Sequence, residues 1–446
     1  MTKKIVALAI LSLLVINSRA AAQIGFGMDM GVGTRALSMA GNHVAVAKDL
    51  SAVYWNPAAL AYLPVREFQV TFDGMRTLGT CEITGSPVTI PSGAKNDDYR
   101  DRLRFSGAGA MTAIPTIQGG LTIAAAYESP KTFDDFSVYT YMIDDMLAEE
   151  NLVKYGDLRR LSVAFGIQVA PNASAGLSLS VLTGGAQTTH DQKRNGAPYN
   201  DMDVDHSYLG YSLTAGALYM PLEYLKLGMR FNTVMSLGVK ETWMLKYESG
   251  QPMHQPNGRP ERLGPFTGKG YIAPQGALGA GLTLPWMTTA LDIRFTMPYT
   301  FVLPGENIAE DLQARYFKMG GGLGFEAPIP STPVVLRAGY SFDECDLFML
   351  VHRMGDKDVG WDDIDWEEGR GFDIVRNKHT LAFGAGLFTA GTGIELSYGW
   401  QTWGISHRQN LWRDDDPEAA PVRIGHRTLK QIYSNHRLMA AVIVRY

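Results

Sequence analysis

The side chains able to do chemistry are few and scattered. Nine histidines stand at positions 43, 190, 206, 254, 352, 379, 407, 426 and 436, and none recurs at a metal-ligand spacing. Neither a Gly-x-Ser-x-Gly elbow nor a phosphate-binding loop with its Lys-Ser/Thr occurs. Gly320 to Gly324 (Gly-Gly-Gly-Leu-Gly) has the glycine density of a phosphate cradle but no helix after it, and reads as close packing within a strand. The acidic run Asp356, Asp358, Asp362, Asp363, Asp365, Glu367 and Glu368 could gather a calcium ion, but its spacing is not that of an EF-hand loop and it reads as solvated surface. These patterns argue against an enzyme, a metal site or a cofactor. The two cysteines, Cys81 and Cys345, can be a disulfide or two separate thiols, and both readings stay open. What remains is apolar. Phe133, Phe136, Val138, Tyr139, Tyr141 and Met142 crowd one connection, and Phe348, Met349, Leu350 and Val351 crowd another. Such residues either line a groove for an apolar ligand or pack the connections on one another.

The composition suits long strands. Of 446 residues, 48 are Gly and only 19% are charged, against a usual ~25%. Aromatic residues reach 10% and the net charge is −5, which excludes a basic nucleic-acid binder and disfavours disorder. Lys3 and Lys4, the apolar stretch Ile5 to Ile16 and the run Ala20-Ala21-Ala22 have the layout of a signal peptide over residues 1–22, with Gln23 as the expected start of the exported chain. No later stretch is long and apolar enough to cross a bilayer as a helix, but an exported chain can still cross as a closed barrel.

Period-two alternation fills the rest. Leu161, Val163, Phe165, Ile167 and Val169 alternate with Ser162, Ala164, Gly166 and Gln168; Leu291, Ile293, Phe295 and Met297 alternate with Asp292, Arg294 and Thr296. One face is apolar and the other small or polar, as a lipid-facing wall around a lumen requires. The pattern predicts fourteen strands near 66–78, 102–113, 118–128, 158–169, 174–188, 207–219, 224–247, 269–284, 287–299, 313–326, 333–343, 378–388, 392–405 and 429–446. Short links, such as 170–173 and Pro285-Trp286, alternate with long ones, such as 129–157, 189–206 and 344–377. That asymmetry is expected of a bacterial outer-membrane barrel, with short periplasmic turns and longer external loops. The last strand, with Leu438, Ala440, Val442, Val444 and Tyr446, resembles the targeting strand of such barrels. The expected fold is all-β: a 14-stranded antiparallel transmembrane barrel over 66–446, preceded by an N-terminal plug, or hatch, over 23–65.

Those first residues differ in kind. Ala36 to Ala47 reads as weakly helical, Asp49 can cap a turn through Ser51 to Tyr54, and Asn56-Pro57 stops it. Leu37, Val44, Val46, Val53, Tyr54, Trp55 and Leu60 are too apolar for a flexible tail and need burial, for which the lumen has room. The stretch Gly33-Thr-Arg-Ala-Leu-Ser-Met-Ala-Gly41, then Val44-Ala-Val-Ala47, then Asp49 and Ser51-Ala-Val-Tyr-Trp-Asn-Pro-Ala-Ala-Leu60, resembles the hatch of the outer-membrane long-chain fatty-acid transporter family (FadL/TodX type), with Asn56, Pro57 and Ala58 matching its Asn-Pro-Ala motif.

The resemblance implies passive transport of hydrophobic compounds such as long-chain fatty acids. The ligand would be captured at the external loops and leave sideways through a gap at the third strand, where Gly119 and Gly120 are the candidate irregularity. Phe133, Phe136, Tyr139, Tyr141, Met142, Phe348 and Met349 are the candidate groove. The 189–206 connection is polar, unlike the apolar entrance of the family. Outer-membrane lipid and the barrel-assembly machinery are implied partners. The family also includes PorV-like relatives that serve secretion or surface attachment, so a secretion partner is the alternative expectation.

Overall fold

A computed structural model describes residues 31–446 except 64, 87, 90, 92–96, 117–118, 144–145, 234, 249–250, 253–259, 273, 298, 302–311, 315–317, 345–371 and 414–421. The predicted signal peptide, the acidic run and Cys345, Phe348 and Met349 therefore lie outside the described residues, while Cys81 is buried on the first strand.

Fourteen antiparallel strands close into a ring. They are β1 (Glu67–Ser86), β2 (Asp97–Ile114), β3 (Leu121–Thr132, continued by Asp135–Ile143), β4 (Met146–Ala170), β5 (Ala173–Arg194), β6 (Ala197–Leu222) and β7 (Leu225–Asn232, continued by Met235–Glu248). The ring goes on through β8 (Glu261–Ile272, continued by Gln275–Leu284), β9 (Met287–Thr296), β10 (Lys318–Pro328), β11 (Val334–Asp343), β12 (Phe372–Phe388), β13 (Thr392–Arg413) and β14 (Val422–Arg445). Closure is the pairing of β1 with β14, from Glu67 opposite Arg445 to Ser86 opposite His426. A small hairpin, Tyr299–Phe301 with Leu312–Ala314, forms a sheet of its own.

The alternation read from the sequence sets the two faces. Leu161, Val163, Phe165 and Ile167 are exposed, while Ser162 and Ala164 between them are buried; Phe68 and Phe72 are exposed around buried Gln69, Thr71 and Asp73. An apolar exterior around a polar interior inverts the arrangement of a water-soluble protein and matches a wall facing lipid. No helix among the described residues is long and apolar enough to cross a membrane, and the crossing elements are strands.

Several strands run beyond the expected limits. The expected loop 189–206 is a continuation of β5 and β6, joined by Asn195 and Gly196, both at positive φ. Asn-Gly is a two-residue hairpin turn, and polar strand residues above the lipid had disguised it. Much of the expected loop 129–157 is likewise strand, since Asp135–Ile143 pairs with Met146–Lys154.

Before the barrel, α1 (Thr34–Ser38) is shorter than the helix expected over 36–47, because Ala40 and Gly41 both take positive φ. Next come α2 (Ala52–Trp55) and a 3-10 turn, Pro57–Tyr62. Asp49 accepts hydrogen bonds from the backbone N–H and hydroxyl of Ser51, holding the entry to α2.

Candidate functional site

The lumen is built in two tiers. In the lower one, nearer the short turns, residues 31–63 lie against inward-facing residues of strands around the ring. Asn56 is extended at φ −167, accepts from the Ala58 N–H at 3.1 Å, and donates to the carbonyls of Val44 at 2.9 Å and Ala217 of β6 at 3.1 Å. Pro57 starts the 3-10 turn, where its missing N–H costs nothing. Gly166, Gly176 and Gly216 stand side by side across β4, β5 and β6, and a Cβ on Gly176 or Gly216 would collide with the Pro57-Ala58 turn. Gly228 beside Gly279, and Gly324 beside Gly339, make the same close approach to Val44-Ala45 and to Met39. The glycine excess is thus partly a seat for this segment. Glycine at the same register on consecutive strands is the signal that composition alone had hidden.

Charge holds the other side. Arg35 of α1 donates to Glu326 of β10 at 2.6 and 3.2 Å and to the Val46 carbonyl at 2.7 Å. Glu326 also pairs with Lys48 and with Arg337, which reaches Glu395 at 2.8 Å. Asp292 of β9 accepts from the backbone N–H groups of His43 and Val44 at 2.6 and 3.0 Å. His43 is fully buried; desolvation, helped by the neighbouring Arg35 charge, lowers its pKa to about 3 and keeps it neutral. Glu67 accepts from the Leu50 N–H at 2.9 Å. Arg160 and Arg230 lie over the Tyr54 ring, each 5.3 Å from its centroid, and Arg160 also donates to Ser162, Ser180, Ser178 and Thr214.

The upper tier changes character. Leu158, Leu182, Ala186, Tyr208, Leu237 and Val239, on the inner faces of β4 to β7, form one buried apolar cluster with Phe133. Phe133 sits in the break of β3 with its ring 5.2 Å from that of Tyr208. The Tyr208 hydroxyl has no hydrogen-bond partner among the described residues. A second cluster joins Met202, Val204, Trp243 and Leu245 farther out. Of the expected groove, Phe133 belongs to the first cluster and Tyr141 is buried with its hydroxyl on Glu150; Met142 is half-buried on the same strand, and the side chains of Phe136 and Tyr139 lie outside the described residues. The sequence pattern missed Leu158, Leu182, Tyr208, Leu237 and Val239, because alternation does not say that an inward position is apolar too.

A cavity of about 150 Å3 opens over residues 31–55. It is lined by Tyr54, Trp55, Arg230, Arg294, Lys378 and Gln401 among others. Arg294 is held by Asp343 at 2.9 Å, whereas Arg230 Nε and Gln401 Oε1 have no partner among the described residues.

One of the irregular places in the wall near this tier lies on β3. Gly119 and Gly120 do not occupy it: β3 begins at Leu121, and both glycines precede it at the short-turn end, Gly119 at φ +79 and Gly120 close to the Ala61 carbonyl. The irregularity lies at the other end of β3, where the register to β4 shifts between Glu128 and Lys131, around Pro130. Proline cannot donate to the ladder. From Ser129 to Phe133 all side chains are buried, and among the described residues β2 pairs with β3 only from Gly107–Ile114 to Leu121–Glu128.

No family model matches the chain, and no curated protein matches it. Solved structures do. A Pseudomonas aeruginosa FadL homologue superposes with a TM-score of 0.63 at 13% identity, covering 94% of this chain and 99% of that one. The Pseudomonas putida toluene transporter TodX gives 0.54 at 14% identity, covering 95% and 100%. The Ralstonia pickettii toluene transporter TbuX gives 0.51 at 11%, covering 94% and 99%. Across nearly its whole length, this chain has the fold of FadL- and TodX-type channels.

Proposed function

We propose that this protein is a passive channel for hydrophobic compounds in a bacterial outer membrane, with residues 31–63 acting as a hatch across its lumen. The observation that carries the reading is the apolar cluster of Phe133, Leu158, Leu182, Tyr208, Leu237 and Val239 on the luminal face, just above a polar, charge-bonded floor. A water-filled pore has no use for such a cluster, since luminal residues of an open channel face water. The side chains of the cluster close on one another, and we read it as parting to receive an apolar body. A separate cavity over residues 31–55, lined by Arg230 and Lys378 as well as by the Arg294–Asp343 pair, offers polar partners for the head of an amphipathic cargo such as a long-chain fatty acid. The shared fold of channels whose members include toluene transporters supports the same class of cargo. A ligand resting there sits beside the irregular end of β3, and exit through the wall at that place avoids forcing an apolar chain past the hatch. No catalytic arrangement enters this reading.

The test is uptake of a fluorescent long-chain fatty acid into liposomes carrying the full chain. Leu237→Asp, which puts a charge among the apolar side chains, should cut uptake about tenfold or more, because a buried unpaired charge costs several kcal/mol. Normal uptake by a correctly folded Leu237→Asp barrel would refute the resting site.

A further inference from the structure

Among the described residues, no backbone pairing joins β2 to β3 over part of the height of the wall. The last rung is Gly107 opposite Glu128. Above it β2 continues against β1 alone, as far as Asp97. Pairing to the outer part of β3 resumes only where Val88–Thr89 meets Met142–Ile143. The result is a window in the sheet, and side chains fill it. Arg104 of β2 donates to Asp157 of β4 at 2.6 Å and to Ser129 of β3 at 3.2 Å. Arg102 donates to Asp157 at 2.5 Å and to Asp134 at 2.7 Å. Arg104 is tied back to Asp73 of β1 at 2.9 Å, and Asp73 accepts from Arg437 of β14. On the outer side, Phe105 stacks on Tyr127 with centroids 5.7 Å apart, and Phe72 meets Phe105 edge-on. Beside the last rung, a cavity of about 30 Å3 lined by Ser51, Ser106, Gly107, Glu128 and Ser129 reaches from the hatch to the wall. A cavity of that size admits water but not an apolar ligand.

We propose that Arg102, Arg104, Asp134 and Asp157 form an ion-pair latch across this window, backed by the Phe105–Tyr127 stack, and that the latch sets the rate at which an apolar ligand leaves through the wall. The proposal rests on the transport reading above. Its physical basis is the difference between a ladder and a latch. Backbone rungs can part only by exposing unpaired polar groups to lipid, which is very costly. Side chains can instead swing into the wet lumen, where Arg and Asp keep water or one another as partners. Asp157 is the pivot, because among the described residues it alone accepts from both arginines.

The experiment is the same fatty-acid uptake, comparing the full wild-type chain with Asp157→Asn. The neutral amide weakens both bridges, and the initial rate should rise several-fold, up to about tenfold. A folded Asp157→Asn barrel, judged by heat-modifiable gel mobility, with a rate unchanged or lower would overturn the latch while leaving transport standing. A wild-type chain that moves no fatty acid would overturn both. Should Asp157→Asn fail to fold, Ser106→Cys with Ser129→Cys, in a Cys81→Ser, Cys345→Ser background, keeps the proposal exposed. Joining these first positions beyond the last rung with a cleavable thiol cross-linker should stop uptake, and cleavage should restore it. Undiminished uptake with the link in place would overturn the proposal.

Discussion

The lower and upper tiers of the lumen share the strands β4, β5 and β6 yet are built from opposite materials. Below, Arg160 is held among Ser162, Ser178, Ser180 and Thr214, and the glycines at 166, 176 and 216 admit the Pro57-Ala58 turn. One to three inward positions above the residues around Arg160, the same strands present Leu158, Leu182 and Tyr208. The lower tier uses directional bonds and close backbone approach, which specify one position for one segment. The upper tier uses apolar contact, which is undirected and tolerates a changing occupant. On the transport reading proposed above, fixing a hatch and lodging a ligand call for different chemistry within one wall.

The largest break in this comparison is removal of the fixed segment. Deleting residues 23–60 should leave an inserted barrel whose single-channel conductance in planar bilayers is about an order of magnitude higher, since the lumen of a fourteen-stranded ring is then open to ions. Unchanged conductance would mean that the segment closes nothing.

Next in size is the charge that fastens it. Glu326→Gln leaves Arg35 and Arg337, both buried, without their shared carboxylate. Breaking a buried pair from one side costs about 3–5 kcal/mol. The expected outcome is a leaky hatch: intermittent large conductance steps and protease access to residues 31–63 in a barrel that still resists denaturant. The uptake defect should be smaller than that of Leu237→Asp, because the upper tier is untouched.

The smallest expected effect is acid loosening. His43 has a folded pKa lowered to about 3 from 6.5, so the folded state binds its proton less readily than the released segment does. Its contribution to seating the hatch is complete above pH 6.5 and is lost as pH falls from there towards 3. By pH 5 the loss is about 2 kcal/mol. Conductance noise should therefore grow between pH 6.5 and 4, and His43→Asn should remove that part of the dependence.

Much of this architecture was legible in the chain. Alternation such as Leu161 to Val169 has period two in any strand, and it fixes which face meets lipid before any contact forms. Strand number and the order of short links followed from it. The Asn56-Pro57-Ala58 turn was legible for a similar reason: an Asn side chain that binds its own backbone and a Pro that sets φ act locally. The strand ends were not legible, because above the lipid an outward residue need not be apolar, and β5 and β6 therefore looked like a loop. The irregular end of β3 was sought at Gly119-Gly120 and lies at Ser129-Pro130, since a strand departs from its neighbour only where the partners' side chains offer something in exchange. Tertiary structure alone decided that Leu158, Leu182, Tyr208 and Leu237, far apart in sequence, become one apolar surface, and that Arg102 and Arg104 reach Asp157 across a missing stretch of ladder. Which strand stands beside which, and at what register, is a property of the closed ring, and every contact across the lumen depends on that closure.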